Sequence, residues 1–166
     1  GPSRPLPDDG LDRPGAGGCP PGAGRYPRLH EQDHRVLRPQ VAGSHHGPDP
    51  AGELGGRVAQ HLDFWPHKGT TEWVRFEWPG PRDLSVVKVY WFDDTGRGHC
   101  RLPKSWRVLY RTSQGDFQPV KTATAYGIEK DTFNPVRFDP VATQALKLEV
   151  TLPDDWSAGI QEVVIE

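Results

Sequence analysis

From about Gln60 onward, hydrophobic and polar residues alternate along the chain; before it no comparable order survives for more than a few residues. Within residues 71–78, Val74, Phe76 and Trp78 share one face while Arg75 and Glu77 share the other. A period of two marks a strand with one buried side. Pro79-Gly80-Pro81 predicts a turn that ends this strand. Residues 86–92, Val-Val-Lys-Val-Tyr-Trp-Phe, are β-branched and aromatic and predict a second, central strand. The next residues, Asp93-Asp94-Thr95-Gly96-Arg97-Gly98, read as loop. Alternation resumes over 106–111, and Ser113-Gln114-Gly115-Asp116 predicts a turn into 117–120. Residues 136–138 read as a short strand between prolines, 146–152 as the cleanest alternation of all, and 160–165 as the last strand. No segment after Gln60 sustains a helical period. Short strands punctuated by Gly, Pro and Asp predict an all-β sandwich or jelly roll.

The opening of the chain has another character. Glycine and proline number 19 and 18 of 166 residues, and they crowd into stretches such as 13–24. Glycine there costs backbone entropy, and proline removes donors and fixes φ. Such a segment buries too little apolar surface to offset its ordering. Residues 1–43 are therefore expected to form a disordered Gly/Pro-rich tail or linker, and 44–166 the β-sandwich. The chain has no methionine, and its first residues lack the apolar core of a signal peptide, so it reads as part of something longer. A formal net charge of -2 supplies no field that would attract nucleic acid or an anionic membrane. No apolar run approaches the length needed to cross a bilayer. Cys19 and Cys100 lie far apart and read as two unpaired thiols.

Several phrases resemble one family. Trp73-Val74-Arg75-Phe76, then Tyr90-Trp91-Phe92-Asp93-Asp94, then Arg101-Leu102-Pro103-Lys104-Ser105-Trp106-Arg107-Val108-Leu109-Tyr110, are similar to discoidin, or coagulation-factor-5/8 C-terminal type, domains. With Phe64-Trp65-Pro66-His67-Lys68-Gly69-Thr70, they resemble more narrowly a module at the C-terminal end of bacterial glycoside hydrolases of the β-L-arabinofuranosidase type. The resemblance covers about 44–166. It implies a galactose-binding-domain-like jelly roll whose loops at one end bind the non-reducing ends of glycans. It also implies a secreted or periplasmic location, with a glycan and the catalytic domain of a glycoside hydrolase as partners. Many such modules carry a structural calcium, held by an acidic turn near the start and by a glutamate in the last strand. Glu162 fits the second element, whereas Leu54-Gly55-Gly56 stands where the acidic turn belongs. Calcium takes six or more oxygen ligands, so this calcium set is incomplete.

Sugar recognition needs flat aromatic surface flanked by planar polar groups. Trp78, Trp91 and Trp106 share faces with strand apolar residues and are expected in the core. Trp65, beside His67 and Lys68, and Trp156, after Pro153-Asp154-Asp155, lie in loops and are candidate binding surface; local packing at a strand end is the competing role. Asp93, Asp94, Arg97, His99 and Arg101 crowd one loop, where carboxylates and guanidinia can hold vicinal hydroxyls. The plainer alternative is an ion-paired loop in which Asp94 and Arg97 hold the turn.

Catalytic signals are weak. Asp93-Asp94 and Asp154-Asp155 are sequence neighbours, which seldom face each other across a cleft as glycoside hydrolysis requires. Nucleophile-elbow, phosphate-loop and zinc-helix motifs are absent from the sequence. His30, His34, His45 and His46 fall in or near the tail and read as solvated. The reading is a non-catalytic carbohydrate-binding accessory module. The alternative is a β-sandwich that packs on its hydrolase without binding sugar. Exposure discriminates them: a bare Trp65 or Trp156 at one rim favours the first, and a wide apolar patch the second.

Overall fold

The computed structural model describes residues 61–166, together with two short strands upstream, β1 (Val36–Leu37) and β2 (Arg57–Val58). The strands that follow are β3 (Leu62–Asp63), β4 (Thr71–Phe92), β5 (Cys100–Arg101), β6 (Ser105–Arg111), β7 (Phe117–Pro119), β8 (Phe133–Thr151) and β9 (Ser157–Ile165). Among the described residues there is no helix. The expected Gly/Pro-rich tail lies outside the described residues apart from β1, as do Cys19, the tail histidines and Leu54-Gly55-Gly56.

Two long strands organise the fold. β4 and β8 run antiparallel from Thr71 opposite Thr151 to Tyr90 opposite Phe133. The first half of β4 belongs with the later half of β8, which pairs onward with β6; β6 in turn pairs with β7. The second half of β4 lies between the earlier half of β8 and β9. Val74, Phe76 and Trp78 from one half and Val87, Val89 and Trp91 from the other are buried in a single core. The sheet thus folds over on itself as a jelly-roll β-sandwich.

The bend corrects one expectation. Pro79-Gly80-Pro81 does not end a strand; β4 passes through it, with register shifts between Glu77 and Arg82 and between Leu84 and Val86. Two prolines without N–H donors interrupt the ladder, and the strand bends across the sandwich instead of reversing. Similarly, the segments expected as separate strands at 136–138 and 146–152 belong to one strand, β8, with Pro135 and Pro140 inside it.

Alternation sets the core. In β8, Leu146, Leu148 and Val150 are fully buried, while Lys147, Glu149 and Thr151 face outward. Each such apolar side chain contributes about 1.5–3 kcal/mol on burial. Trp78, Trp91 and Trp106 are buried, as their strand positions predicted. Trp91 and Trp106 meet edge to face at 5.4 Å, and both indole N–H groups donate to the Gly127 carbonyl, at 3.3 and 2.7 Å. Cys100 corrects another expectation. It is disulfide-bonded rather than a free thiol, and fully buried.

Candidate functional site

The arch of β4 brings both of its ends to one edge of the sandwich. Thr71 pairs with Thr151, and Phe92 pairs with Gly159 near the start of β9. Three loops therefore meet there: 64–70 before β4, 93–99 after it, and 152–156 between β8 and β9. Backbone hydrogen bonds sew them together. Phe64 N–H donates to Ala158 O at 3.1 Å, Gly69 N–H to Pro153 O at 2.8 Å, Leu152 N–H to Thr70 O at 2.9 Å and Ser157 N–H to His99 O at 2.9 Å. Gly69 has a φ of 64°, and a side chain there would press on the Asp154 carbonyl. Glycine is the residue that permits this approach.

On this sewn edge the aromatic side chains form a row. Trp65 and His99 lie 4.6 Å apart between ring centroids, tilted by 31°, and His99 and Trp156 lie 5.9 Å apart, tilted by 36°. A cation sits at each end. Lys68 Nζ is 5.3 Å from the Trp65 ring, and the Arg101 guanidinium is 3.9 Å from the Trp156 ring. Trp156 keeps 38% of its surface exposed, whereas the core tryptophans keep 6% or less. His99 Nδ1 is buried without a hydrogen-bond partner among the described residues. The row therefore offers indole surface with a cationic group at either end. Those are the elements that a sugar ring needs from a protein surface.

The other predicted residues take different places. His67 turns inward, with Nδ1 3.0 Å from the buried Glu72 carboxylate, which also accepts the Thr70 hydroxyl at 2.8 Å. Asp93 accepts the Thr95 N–H and hydroxyl, at 2.9 and 2.6 Å, and lies 3.2 Å from Lys130 Nζ. Burial alone pushes the Asp93 carboxyl upward, but the Thr95 and Lys130 donors outweigh it and hold it below its ordinary value of 3.8. Asp94 is buried and accepts the Cys100 N–H at 2.8 Å. Its carbonyl accepts the N–H groups of Arg97 and Gly98, at 2.8 and 3.0 Å. Arg97 stands exposed on that turn. The acidic pair is thus engaged in holding a loop, with Arg101 and Lys130 as its cationic neighbours and Arg97 contributing its main-chain N–H. The row joins Trp65, Lys68, Arg101 and Trp156 to His99. His99 stood in the crowded loop, but its place between two indoles had no sequence signal, because it arises from the pairing of β5 with β9, Cys100 opposite Ser157.

Glu162 lies half-buried in β9, opposite Tyr90. Among the described residues no three His, Cys, Asp or Glu side chains converge in a way that would hold a metal ion.

No protein-family model matches the chain. Several solved structures are similar to it. A chain of the Streptococcus pneumoniae β-galactosidase BgaA aligns with 64% of this chain and 75% of its own, at 18% identity and a TM-score of 0.54. A Clostridium perfringens module, CBM32-5 in complex with GalNAc-β-1,3-galactose, aligns with 69% of this chain and 77% of its own, at 10% identity and a TM-score of 0.49. Chitosan-binding module 1 of a Paenibacillus sp. IK-5 chitosanase/glucanase aligns with 67% and 76%, at 13% identity and a TM-score of 0.45. The chain shares its all-β jelly-roll fold with the BgaA chain.

Proposed function

We propose that this chain is a non-catalytic carbohydrate-binding module and that the row Lys68, Trp65, His99, Trp156, Arg101 is its ligand surface. The observation that carries the reading is the exposed Trp156 beside Trp65 and His99, on an edge assembled from three loops. The fold shared with a β-galactosidase chain supports an origin in a glycoside hydrolase. The phrases around Trp65, Trp91 and Trp106 are the support for a parent of the β-L-arabinofuranosidase type. One weak site per module works by raising the enzyme's effective concentration at its substrate. The alternative of a purely packing domain wants a broad apolar patch. Among the described residues the large exposed hydrophobics are Ile128 and Trp156 alone. A secreted or periplasmic location is supported by the Cys100 disulfide, since such bonds persist in oxidising compartments.

The test is titration calorimetry of the whole chain with galactose, N-acetylgalactosamine, L-arabinose and galacturonic acid, with and without calcium. Saturable heat with at least one sugar, lost in Trp156→Ala and in Trp65→Ala, is the expected result. A folded chain that is silent with all four sugars and with a broad glycan array would overturn the reading in favour of a packing domain.

A further inference from the structure

We propose that Asp94 is a positioning residue for the aromatic row, acting through the turn it locks rather than by touching ligand. The inference rests on the glycan reading of the rim and goes a step further, by saying what holds that rim in shape.

The lock is built from one residue. Asp94 Oδ1 accepts the Cys100 N–H at 2.8 Å, and the Asp94 N–H donates to Cys100 O at 3.2 Å. Its carbonyl accepts two further N–H groups, those of Arg97 and Gly98. The turn 94–100 is therefore closed at its base by Asp94 on both main chain and side chain. Arg101 is then folded onto the same turn. Its Nη1 donates to Gly98 O at 3.0 Å and Cys100 O at 2.8 Å, and lies 3.5 Å from Asp94 Oδ1. Those bonds orient the guanidinium that lies 3.9 Å from Trp156. His99, between the two indoles, sits inside the locked turn, and its carbonyl accepts the Ser157 N–H, next in chain to Trp156. Every contact along the Trp156 side of the row thus traces back to a segment that Asp94 closes.

Gly98 supplies an independent handle. A Cβ there would overlap the Asp94 carboxylate. Its φ lies outside the left-handed region, so alanine is admissible to the backbone and its effect falls on the Asp94 side chain. Asp94→Ala and Gly98→Ala therefore attack one lock from two directions. A surface held in its binding shape avoids an ordering cost at each binding event, and a loosened one meets that cost again.

The experiment compares the full chain with Asp94→Ala, Asp94→Asn and Gly98→Ala. The readouts are the indole N–H resonances, assigned by single Trp→Phe variants, and titration with the sugar bound most tightly by the unmodified chain among the four named above. In Asp94→Ala and Gly98→Ala the Trp65 and Trp156 resonances shift or broaden, while those of Trp91 and Trp106 stay in place. Affinity falls about tenfold, the scale of one lost hydrogen bond to a charged group. Asp94→Asn, which keeps an acceptor for the Cys100 N–H, recovers most of both. A pure folding defect would instead move all the indole signals together. Unchanged Trp65 and Trp156 resonances in Gly98→Ala overturn the proposal, whether or not Asp94→Ala folds. If the resonances move as expected while the unmodified chain binds none of the sugars, the lock stands and the glycan reading falls.

Discussion

Two pairs of tryptophans divide the molecule. Trp91 and Trp106 come from the strands β4 and β6, are 2% and 4% exposed, pack edge to face and place both indole N–H groups on the Gly127 carbonyl. Trp65 and Trp156 come from loops, meet only through His99, and are covered at their ends by Lys68 and Arg101. The side chain is the same in all four. What differs is whether alternation along a strand or a turn between strands sets its direction. In the first case the indole ends up with a hydrogen-bond partner and almost no solvent; in the second it keeps a solvent-facing edge and acquires a cationic neighbour. Large aromatic area is thereby spent on stability at one site and left available for a ligand at the other.

The contrast breaks most visibly in the core. Trp106→Ala removes a ring packed against both Trp91 and Tyr126 and takes away the 2.7 Å donor to Gly127. A cavity of this kind costs about 3–5 kcal/mol. Urea unfolding with an unchanged slope and a midpoint lowered accordingly is the expected result. A loss under about 1 kcal/mol would mean that Trp106 is not the core element that its burial implies.

Trp156→Ala should do the reverse. The side chain is the more exposed, so its removal shifts the unfolding free energy by no more than about 1 kcal/mol. Sugar affinity, by contrast, should fall at least about tenfold, as for a central aromatic contact in a binding surface. Calorimetry and thermal melts on the same preparations separate the two effects. Equal losses in stability and affinity would erase the distinction between the pairs.

That distinction was partly legible in the sequence. Val87, Val89 and Trp91 in line, and Trp106 in line with Val108, announce inward faces, because strand periodicity acts over a few residues and is written locally. Trp65 and Trp156 were legible as loop residues for the same reason. Long-range closure was not. Pro79-Gly80-Pro81 carries every local mark of a turn, yet the partner strand β8 and the shared core carry β4 through it as a bend. Nor can a sequence tell whether an aspartate in a loop faces a ligand or its own backbone. Asp93 and Asp94 were candidates for sugar hydroxyls, and both accept hydrogen bonds from the loop's own groups. His99 joins the row because β5 pairs in parallel with β9, a contact between segments far apart in the chain.

Acid should act on the two sides of the molecule alike. Burial raises the carboxyls of Asp93, at the rim, and Glu149, on the outer face of β8, but their donors prevail: Thr95 and Lys130 for the first, Arg107 and Lys147 for the second. Both are held below their ordinary values, 3.8 and 4.5. The folded state therefore binds fewer protons than the unfolded one. The resulting stability is complete above those ordinary values and is lost as pH falls through the lowered ones. Melting temperature should be flat from neutral pH to about 5 on this account and then decline. Asp93→Asn should reduce the steepness of that decline, and a curve superimposable on the unmodified chain's would exclude Asp93 as a contributor.

The smallest effect belongs to the two cations that cap the row, and it refines the comparison within the rim itself. Arg101 is fixed by the Gly98 and Cys100 carbonyls, whereas Lys68 is an exposed side chain set over Trp65 at 5.3 Å. A cation over an exposed indole contributes about 0.5–1 kcal/mol. Lys68→Ala should therefore lower stability by about 0.5 kcal/mol, the low end of that range, because water hydrates the exposed ammonium and weakens its attraction to the ring. Its effect on sugar affinity has an informative sign. If a bound sugar hydrogen-bonds to the ammonium, affinity falls a few-fold and the loss shrinks in high salt. If the sugar must displace the ammonium from the Trp65 face, affinity rises instead. A rise would make Trp65 the stacking surface and leave Arg101 as the row's fixed cation; a fall would make Lys68 a direct ligand contact.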